Sequence, residues 1–577
     1  MFNAVRQIYR HREDFIVIGL AGKIGSGCTK VANFMSMTKE QLNMPSKGLD
    51  SHTADKDRKK AIIHAFFEDN WAPFVKIGVR DVITTFILQH DYSSVGSFLA
   101  DKFTGIKIGA DSKELYDKFV DKNNRYIEAL SSLDPSESEF IYSYLVTELP
   151  SFTDQFKKGL EGESYRNYSS VFQILGDNIR KFGSALPGTE APEHIYSIAE
   201  RINLTIKLLR DNNKKVGGKD YFVIDAFRNP FEVMFFQERY SAFYLMAIKS
   251  PEEDRMDRLH NELDLTTTQI AEQDGKESPK GSIVDKADTF VSQNIKACIQ
   301  KADIHIINKG KHENTNFLDL KGQIVKYMAL IQSPGLVTPS VDERMMQIAF
   351  TAKSNSGCIS RQVGAVVTNA DGAPVSIGWN DVPEGHVCCL FRTIDNLFAD
   401  VDELAYSNYE KTNKKFRGKL KEMRDSYGSG DALRGKPVSY CFKDVQNEVE
   451  EKDNQVYTRA LHAEERAFLQ IVKHGGQSVV GGALYTTASP CDLCSKKAYH
   501  LGIKRIVFIE PYPGIAAKNI LESGTQTVDV VLYQGAIGYA YHKVYEPILP
   551  FKDELAAFQK QFELQAKPEV TEFSAES

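Results

Sequence analysis

Two α/β units in tandem are the fold this 577-residue chain predicts. Three observations carry that reading. Short apolar runs of strand length alternate with helical periodicity in both halves. A glycine-rich loop follows directly on the first such run, and Ser333-Pro334-Gly335 interrupts the pattern between the halves. Composition agrees, because 42% hydrophobic and 26% charged residues are ordinary for globular cores and exclude collagen-like or largely disordered chains. A net charge of −6 gives no support to polyanion binding through overall charge. No apolar stretch approaches the ~18 residues of a membrane span, so no membrane partner is expected. The run Phe15–Ala21 follows charged residues and leads into glycines, unlike a signal peptide. Eight cysteines in so long a chain make no disulfide framework, and a reducing cytoplasm is the expected location.

The first unit is assigned to residues 1–313. It opens with a strand at Phe15–Leu20, a loop, and a helix from about Thr29 to Met37. Helical patterns run on to about Arg210, and strands return at Tyr221–Asp225, Ala242–Lys249 and, after a helix, Ile304–Ile307. Buried strands separated by helices imply a parallel sheet covered on both faces. Residues 314–339 read as a linker helix (Leu318–Ile331) and turn. The second unit, 340–550, begins with a helix at Asp342–Ala352 and strands at Val363–Thr368 and Val375–Gly378. A helix from His462, a strand at Ala483–Thr487, a helix from Cys491 and strands at Arg505–Ile509 and Val528–Tyr533 follow. Between Asp381 and Leu461 lies a charged insertion whose runs read as solvated surface. Residues 551–577 read as a C-terminal tail, frayed after about Ala566.

The strongest chemical signal is His462-Ala463-Glu464 followed by Pro490-Cys491-Asp492-Leu493-Cys494. A histidine and two thiolates make a three-ligand Zn²⁺ set with a fourth position left for water, whose pKa falls toward ~7 on zinc. Glu464, two residues from the histidine, is placed to relay a proton without ligating. Cys491 and Cys494 stand at a helix start, where free N–H groups favour thiolates. H-x-E with P-C-x-x-C is the signature of zinc nucleobase deaminases. CxxC alone would also fit a redox pair or half a structural zinc site.

From about Asp342 to Tyr533 the chain resembles the deoxycytidylate deaminases, which implies a cytidine-deaminase-like α/β/α fold. The resemblance extends to Ala349-Phe350-Thr351-Ala352, to Ser356-Gly357-Cys358-Ile359-Ser360-Arg361-Gln362-Val363-Gly364-Ala365-Val366, and to the turn Gly378-Trp379-Asn380-Asp381-Val382-Pro383-Glu384-Gly385. It implies that Asn380 binds the deoxyribose hydroxyl and that Arg361 helps hold phosphate. Trp379 and Asp381 depart from the family's usual tyrosine and glycine. Some family members hold a second, structural zinc. Cys358, Cys388, Cys389, His386 and Cys441 are candidates without a clear ligand spacing, and buried free thiols are the preferred reading.

In the first half, Gly22-Lys23-Ile24-Gly25-Ser26-Gly27-Cys28-Thr29 follows a strand and opens a helix, the context of a P-loop. Its N–H groups would cradle phosphate, with Mg²⁺ near Thr29. Cys28 stands where the motif requires lysine, which argues for nucleotide binding without efficient transfer. The half resembles a P-loop nucleoside-monophosphate kinase, with Asp225 in Val223–Pro230 near the metal and Gln173–Arg180 in an acceptor pocket. Arg255 and Arg258 are placed like lid arginines, and Ala302–Asn308 like the late strand beside the base.

A P-loop unit followed by a deaminase unit is similar, over nearly the whole chain, to the bacterial anti-phage deoxycytidine-nucleotide deaminases. That resemblance implies free dCTP and dCMP as substrates, depletion of the dCTP pool, restraint by a small RNA, and a homo-oligomer. The competing readings are a deaminase of cytosine or adenine within RNA or DNA, and a nucleotide-sensing switch with minor deaminase activity.

Overall fold

β1 (Phe15–Ala21) is buried from Ile16 onward, as a strand covered on both faces must be. A computed structural model of the chain describes every residue except 1–6, 8, 11, 46–53, 104–112, 161–164, 278–289, 311–316, 429–432, 512–516 and 566–577. The chain divides into two units, residues Met1–Thr338 with Tyr539–Ser577, and residues Pro339–Gly538.

In the first unit β1, β2 (Val75–Gly78), β3 (Asp220–Asp225), β4 (Phe243–Lys249) and β5 (Ile304–Ile307) run parallel in the order β5-β4-β1-β3-β2. Ile18 of β1 stands opposite Val223 and Tyr244. Parallel strands bring their carboxyl ends to one edge, the edge where open α/β sheets bind ligands. The loop after β1, Asp225, Ser250 and Asn308 all meet there. Asn308 Nδ2 donates to Ser26 O at 2.8 Å, and Ser250 Oγ donates to Asn308 O at 2.9 Å. Between β2 and β3 the chain is helical, and helices such as Tyr165–Phe182 and Ser197–Val216 build a large apolar core over the sheet. β2 escaped the sequence reading because four residues, one a lysine, are too few to show a period.

Two expected boundaries shift. The helix Leu318–Gln332, expected as a linker, is almost wholly buried in the first unit. Gln323 pairs with both backbone groups of Ile307 at 2.9 Å, and Lys321 Nζ donates to Leu42 O at 2.7 Å. At the far end, residues from Tyr539 onward return to the first unit instead of finishing the second. Gly335 N–H donates to Val544 O at 3.0 Å, and Arg12 Nη1 to Lys543 O at 2.9 Å. The expected tail is a helix over Phe551–Gln565. Its frayed end after Ala566 falls outside the described residues.

The second unit holds β6 (Gly364–Thr368), β7 (Pro374–Trp379), β8 (Ala483–Ala488), β9 (Arg505–Glu510) and β10 (Asp529–Leu532) in the order β10-β9-β8-β6-β7. β6 is antiparallel to β7 and β8, whereas β8, β9 and β10 are parallel. The sheet is therefore mixed, with its antiparallel part on one side of β8 and its parallel part on the other. The helix Val341–Ala352 starts on a capping box in which Ser340 and Glu343 satisfy each other's backbone N–H groups. The insertion leaves and returns at one point, since Asp381 and Leu461 form an antiparallel bridge. Far from being only solvated surface, it has its own core of Ile394, Leu397, Phe416, Leu420 and Tyr440. Within it the fully buried Arg392 pairs with Glu410, which also accepts from Tyr440 Oη at 2.7 Å. Pairing the two charges is what makes their burial tolerable.

Candidate active site

His462 caps the helix Ala463–His474, and Cys491 caps the helix Asp492–His500. The two helices are joined by a Lys497–Glu465 ion pair. Their starts converge so that His462 Nδ1 lies 3.4 Å from Cys491 Sγ and 3.6 Å from Cys494 Sγ. Among the described residues this is the group of three or more potential ligands within metal-binding reach. Tetrahedral Zn²⁺ with bonds of ~2.3 Å to sulfur and ~2.0 Å to nitrogen has N···S edges of about 3.6 Å. The three donors therefore stand where zinc would hold them. The Cys491 thiol is drawn down to about 3, chiefly by its hydrogen bond with Cys494 and then by His462. Cys494 is driven up, first by that same hydrogen bond with Cys491 and then by burial. The two thiols titrate as a coupled pair, and a metal ligand must be a thiolate. His462 is raised, mainly by its hydrogen bond with Cys491.

Glu464, in the first turn after His462, is 4% exposed, and burial raises its carboxyl above the ordinary range. It lines a cavity of about 220 Å³ together with His462 and Cys491, and Cys494 sits behind them. The helix carrying it lies directly on β7. A Cβ at Gly378 would stand 2.1 Å from Ala463 O and 2.6 Å from Ala467 N, so only glycine permits that approach. Ser376 Oγ donates to Ala467 O at 2.8 Å, and the Arg466 guanidinium lies 4.3 Å from the Trp379 ring centroid.

Asn380 and Arg361 both reach this cavity. Asn380 Oδ1 accepts from Val363 N–H at 2.6 Å and its Nδ2 donates to Arg361 O at 2.7 Å, which fixes the amide. One donor hydrogen and one lone pair remain for a ligand. Arg361 is ion-paired with Glu510 at 2.5 Å. The insertion supplies part of the wall through Cys389, Cys441, Phe442, Lys443, Thr458 and Arg459. Sequence reading named Cys389 and Cys441 only as possible structural-zinc ligands and missed the other four, because charge runs alone carry no sign of where a loop returns. All eight cysteines are free thiols. Among the described residues Cys358, Cys388, Cys389, Cys441 and His386 form no such ligand cluster.

In the first unit, Gly22, Lys23, Gly25, Ser26, Gly27 and Cys28 turn between β1 and the helix Cys28–Met35, which also carries Thr29. Gly27 has φ +99°, and a Cβ on it would lie 2.3 Å from Asn308 Nδ2. Three successive carbonyls of this loop are held from outside: Ile24 O by Arg255 Nη1 at 3.2 Å, Gly25 O by Arg258 Nε at 2.9 Å, and Ser26 O by Asn308. The two arginines, expected as lid residues, thus brace the loop. Their helix, Glu252–Asn261, follows β4 closely and lays its i,i+3 face on the loop. A carboxylate already touches this turn, since Ile24 N–H donates to the buried Glu277 at 3.0 Å. Burial pushes the Cys28 thiol up to about 12, so it supplies neither thiolate nor cation. Thr29 is exposed, and Asp225 is buried with Lys76 Nζ 3.7 Å away. Of the expected acceptor segment, Gln173, Ile174 and Asp177 line a second cavity of about 420 Å³, whereas Arg180 is buried on Glu232 at 2.9 Å.

Residues 339–510 match the family model described as the cytidine and deoxycytidylate deaminase zinc-binding region. The deoxycytidylate deaminase of Enterobacteria phage T2 is 30% identical over 168 residues, 29% of this chain and 79% of that protein. The deoxycytidylate deaminase of Schizosaccharomyces pombe is 25% identical over 182 residues, 31% of this chain and 40% of that one. The solved dCMP deaminase of cyanophage S-TIM5, in complex with dCMP and dUMP, is 20% identical, covering 34% of this chain and 99% of its own, with a TM-score of 0.21.

Proposed function

This chain belongs to the deoxycytidylate deaminase family and is a hydrolase that deaminates dCMP, and we propose that it takes dCTP as well. The observation that carries the reading is the convergence of His462, Cys491 and Cys494 beside a buried Glu464 on one cavity. The three donors would hold Zn²⁺, which when bound activates water and supplies Lewis-acid stabilisation. Glu464 takes a proton from the attacking water and delivers it to ring nitrogen N3, then supports protonation of the departing amine. Water adds at C4, the C4–N bond breaks, and ammonia leaves. Burial of Glu464 suits this task because it makes the carboxyl easier to protonate than an exposed one. Asn380 holds the deoxyribose hydroxyl, and Arg361 faces the 5′-phosphate.

The first unit, in this reading, is a P-loop domain that binds a nucleotide through Gly22–Thr29, with Mg²⁺ near Asp225 and Thr29, and regulates the deaminase. The turn's capacity to hold an anionic oxygen supports this, since Ile24 N–H already donates to the carboxylate of Glu277. The resemblance to anti-phage deaminases extends the reading to cytoplasmic depletion of dCTP during infection, a homo-oligomer, and restraint by a small RNA. Among the described residues no helix is long and apolar enough to cross a membrane.

The test is incubation of the purified protein with dCMP, dCTP, CMP, CTP and a cytosine-containing oligonucleotide, with ammonia and uracil products measured. Glu464→Gln should lower turnover by about 10²–10⁴-fold while zinc stays bound. Loss of zinc from that variant would assign Glu464 to the ligand set instead.

A further inference from the structure

Three fixed cations line the cavity above His462, namely Arg361, Lys443 and Arg459. Two have carboxylate partners. Arg361 pairs with Glu510 at 2.5 Å, and Lys443 Nζ lies 3.1 Å from Asp444. Arg459 differs: its Nη1 donates to Val387 O at 3.3 Å, and no carboxylate among the described residues forms an ion pair with it. The thiol of Cys389, also on the cavity wall, lies close enough to feel its charge. A guanidinium facing a partly enclosed cavity without a counter-ion strongly attracts an anion, and its planar fork matches two phosphate oxygens.

The backbone around Arg459 is tethered. Leu461 N–H donates to Asp381 O at 2.9 Å, closing the base of the insertion, and His462 follows at once as a helix cap. The arginine is therefore held three residues from the metal-ligand candidate, on a segment anchored at the site. On the opposite side of the insertion, Tyr440 and Val445 are buried in its core and carry Lys443 to the same wall.

Resting on the deoxycytidine-nucleotide reading above, we infer that Arg459 is the principal phosphate-recognising residue of this site, and that the insertion thereby sets the preference for a nucleotide over a nucleoside. The ligand class is a nucleoside 5′-phosphate with a cytosine base.

The experiment measures kcat and KM for dCMP and deoxycytidine, and zinc content, in the parent, Arg459→Gln and Arg459→Lys. Arg459→Gln should raise KM for dCMP by about 10–100-fold, with a smaller change in kcat, as expected for losing a charge-assisted hydrogen bond. The ratio of kcat/KM for dCMP over deoxycytidine should fall by a similar factor, with zinc retained. Arg459→Lys should recover part of that ratio, because it keeps the charge and loses the fork. Inorganic phosphate should inhibit the parent competitively and Arg459→Gln far less. An unchanged ratio in Arg459→Gln overturns the inference, as does an equal loss on both compounds, which would mark a structural role. A parent inactive on both compounds overturns the deaminase reading itself, and this inference with it.

Discussion

Replacing Gly378 by alanine tests whether the catalytic geometry depends on the contact between one helix and one strand. The added Cβ would lie 2.1 Å from Ala463 O and 2.6 Å from Ala467 N, both backbone atoms of the helix that begins at His462. Non-bonded carbon contacts are favourable at about 3.5–4.0 Å, so the helix must retreat by roughly 1 Å or more. Side chains cannot absorb this overlap, because both obstructing atoms are main chain. Overpacking of this kind typically costs about 1–3 kcal/mol. In a unit of 150–250 residues each kcal/mol lowers Tm by about 2–4 °C. The larger effect falls on activity. Ala463 lies between His462 and Glu464, so displacement moves both relative to Cys491 and Cys494 on the other helix. A 1 Å misplacement of catalytic groups can cost about 100-fold in rate. Steady-state deamination of dCMP, elemental analysis for zinc and a thermal melt, run on the same preparation, give the three readouts. The expected result is a folded protein with kcat/KM lower by about two orders of magnitude and weakened zinc retention. Parent-like kinetics and zinc content in Gly378→Ala would refute the reasoning.

Other consequences are equally direct. Cys491→Ala leaves two protein donors, too few for a catalytic zinc site, and should lose metal and turnover together; retained zinc by elemental analysis contradicts the three-donor assignment. Gly27→Val places a side chain at φ +99° against Asn308 and should abolish nucleotide binding by the first unit, read by calorimetry with ATP and dCTP, while the second unit keeps its zinc. Asp303 accepts from Leu245 N–H at 2.8 Å, and burial raises its carboxyl from 3.8 to about 6. The folded state therefore holds this proton more tightly than the unfolded chain. Below pH 4 the group costs nothing, and as pH rises to about 6 its ionisation removes up to about 3 kcal/mol of stability. Asp303→Asn keeps the acceptor and removes the titration, so its stability relative to the parent should improve between pH 4 and 6.5 in urea unfolding; a pH-independent difference contradicts this.

Local chemistry made much of this protein legible in advance. His462, Glu464, Cys491 and Cys494 announce themselves because each pair is close in sequence and each sits where a helix begins, although it is the fold that brings His462 to the two cysteines. The strands β1, β3, β4, β5 and β6 are continuous apolar runs, and the loop at Gly22–Thr29 is punctuated by glycines whose φ values only a turn requires. These signals depend on neighbours within a few residues.

What the sequence could not disclose depends on partners far along the chain. The bracing of the glycine-rich loop by Arg255, Arg258 and Asn308 spans more than 200 residues, and an i,i+3 arginine pair looks the same whether it closes over a ligand or holds carbonyls from behind. The helix Leu318–Gln332 read as a linker because burial, not pattern, distinguishes a core helix from a connecting one. The insertion read as surface because its charges are conspicuous, while the bridge from Asp381 to Leu461 that returns Arg459 to the cavity is a long-range pairing with no local mark. The motifs that carry His462, Glu464, Cys491 and Cys494 were legible from short-range spacing, while their convergence is tertiary. That Arg459 faces the same cavity with no carboxylate partner among the described residues was decided only when the chain closed on itself, because a carboxylate's distance from an arginine is a tertiary quantity.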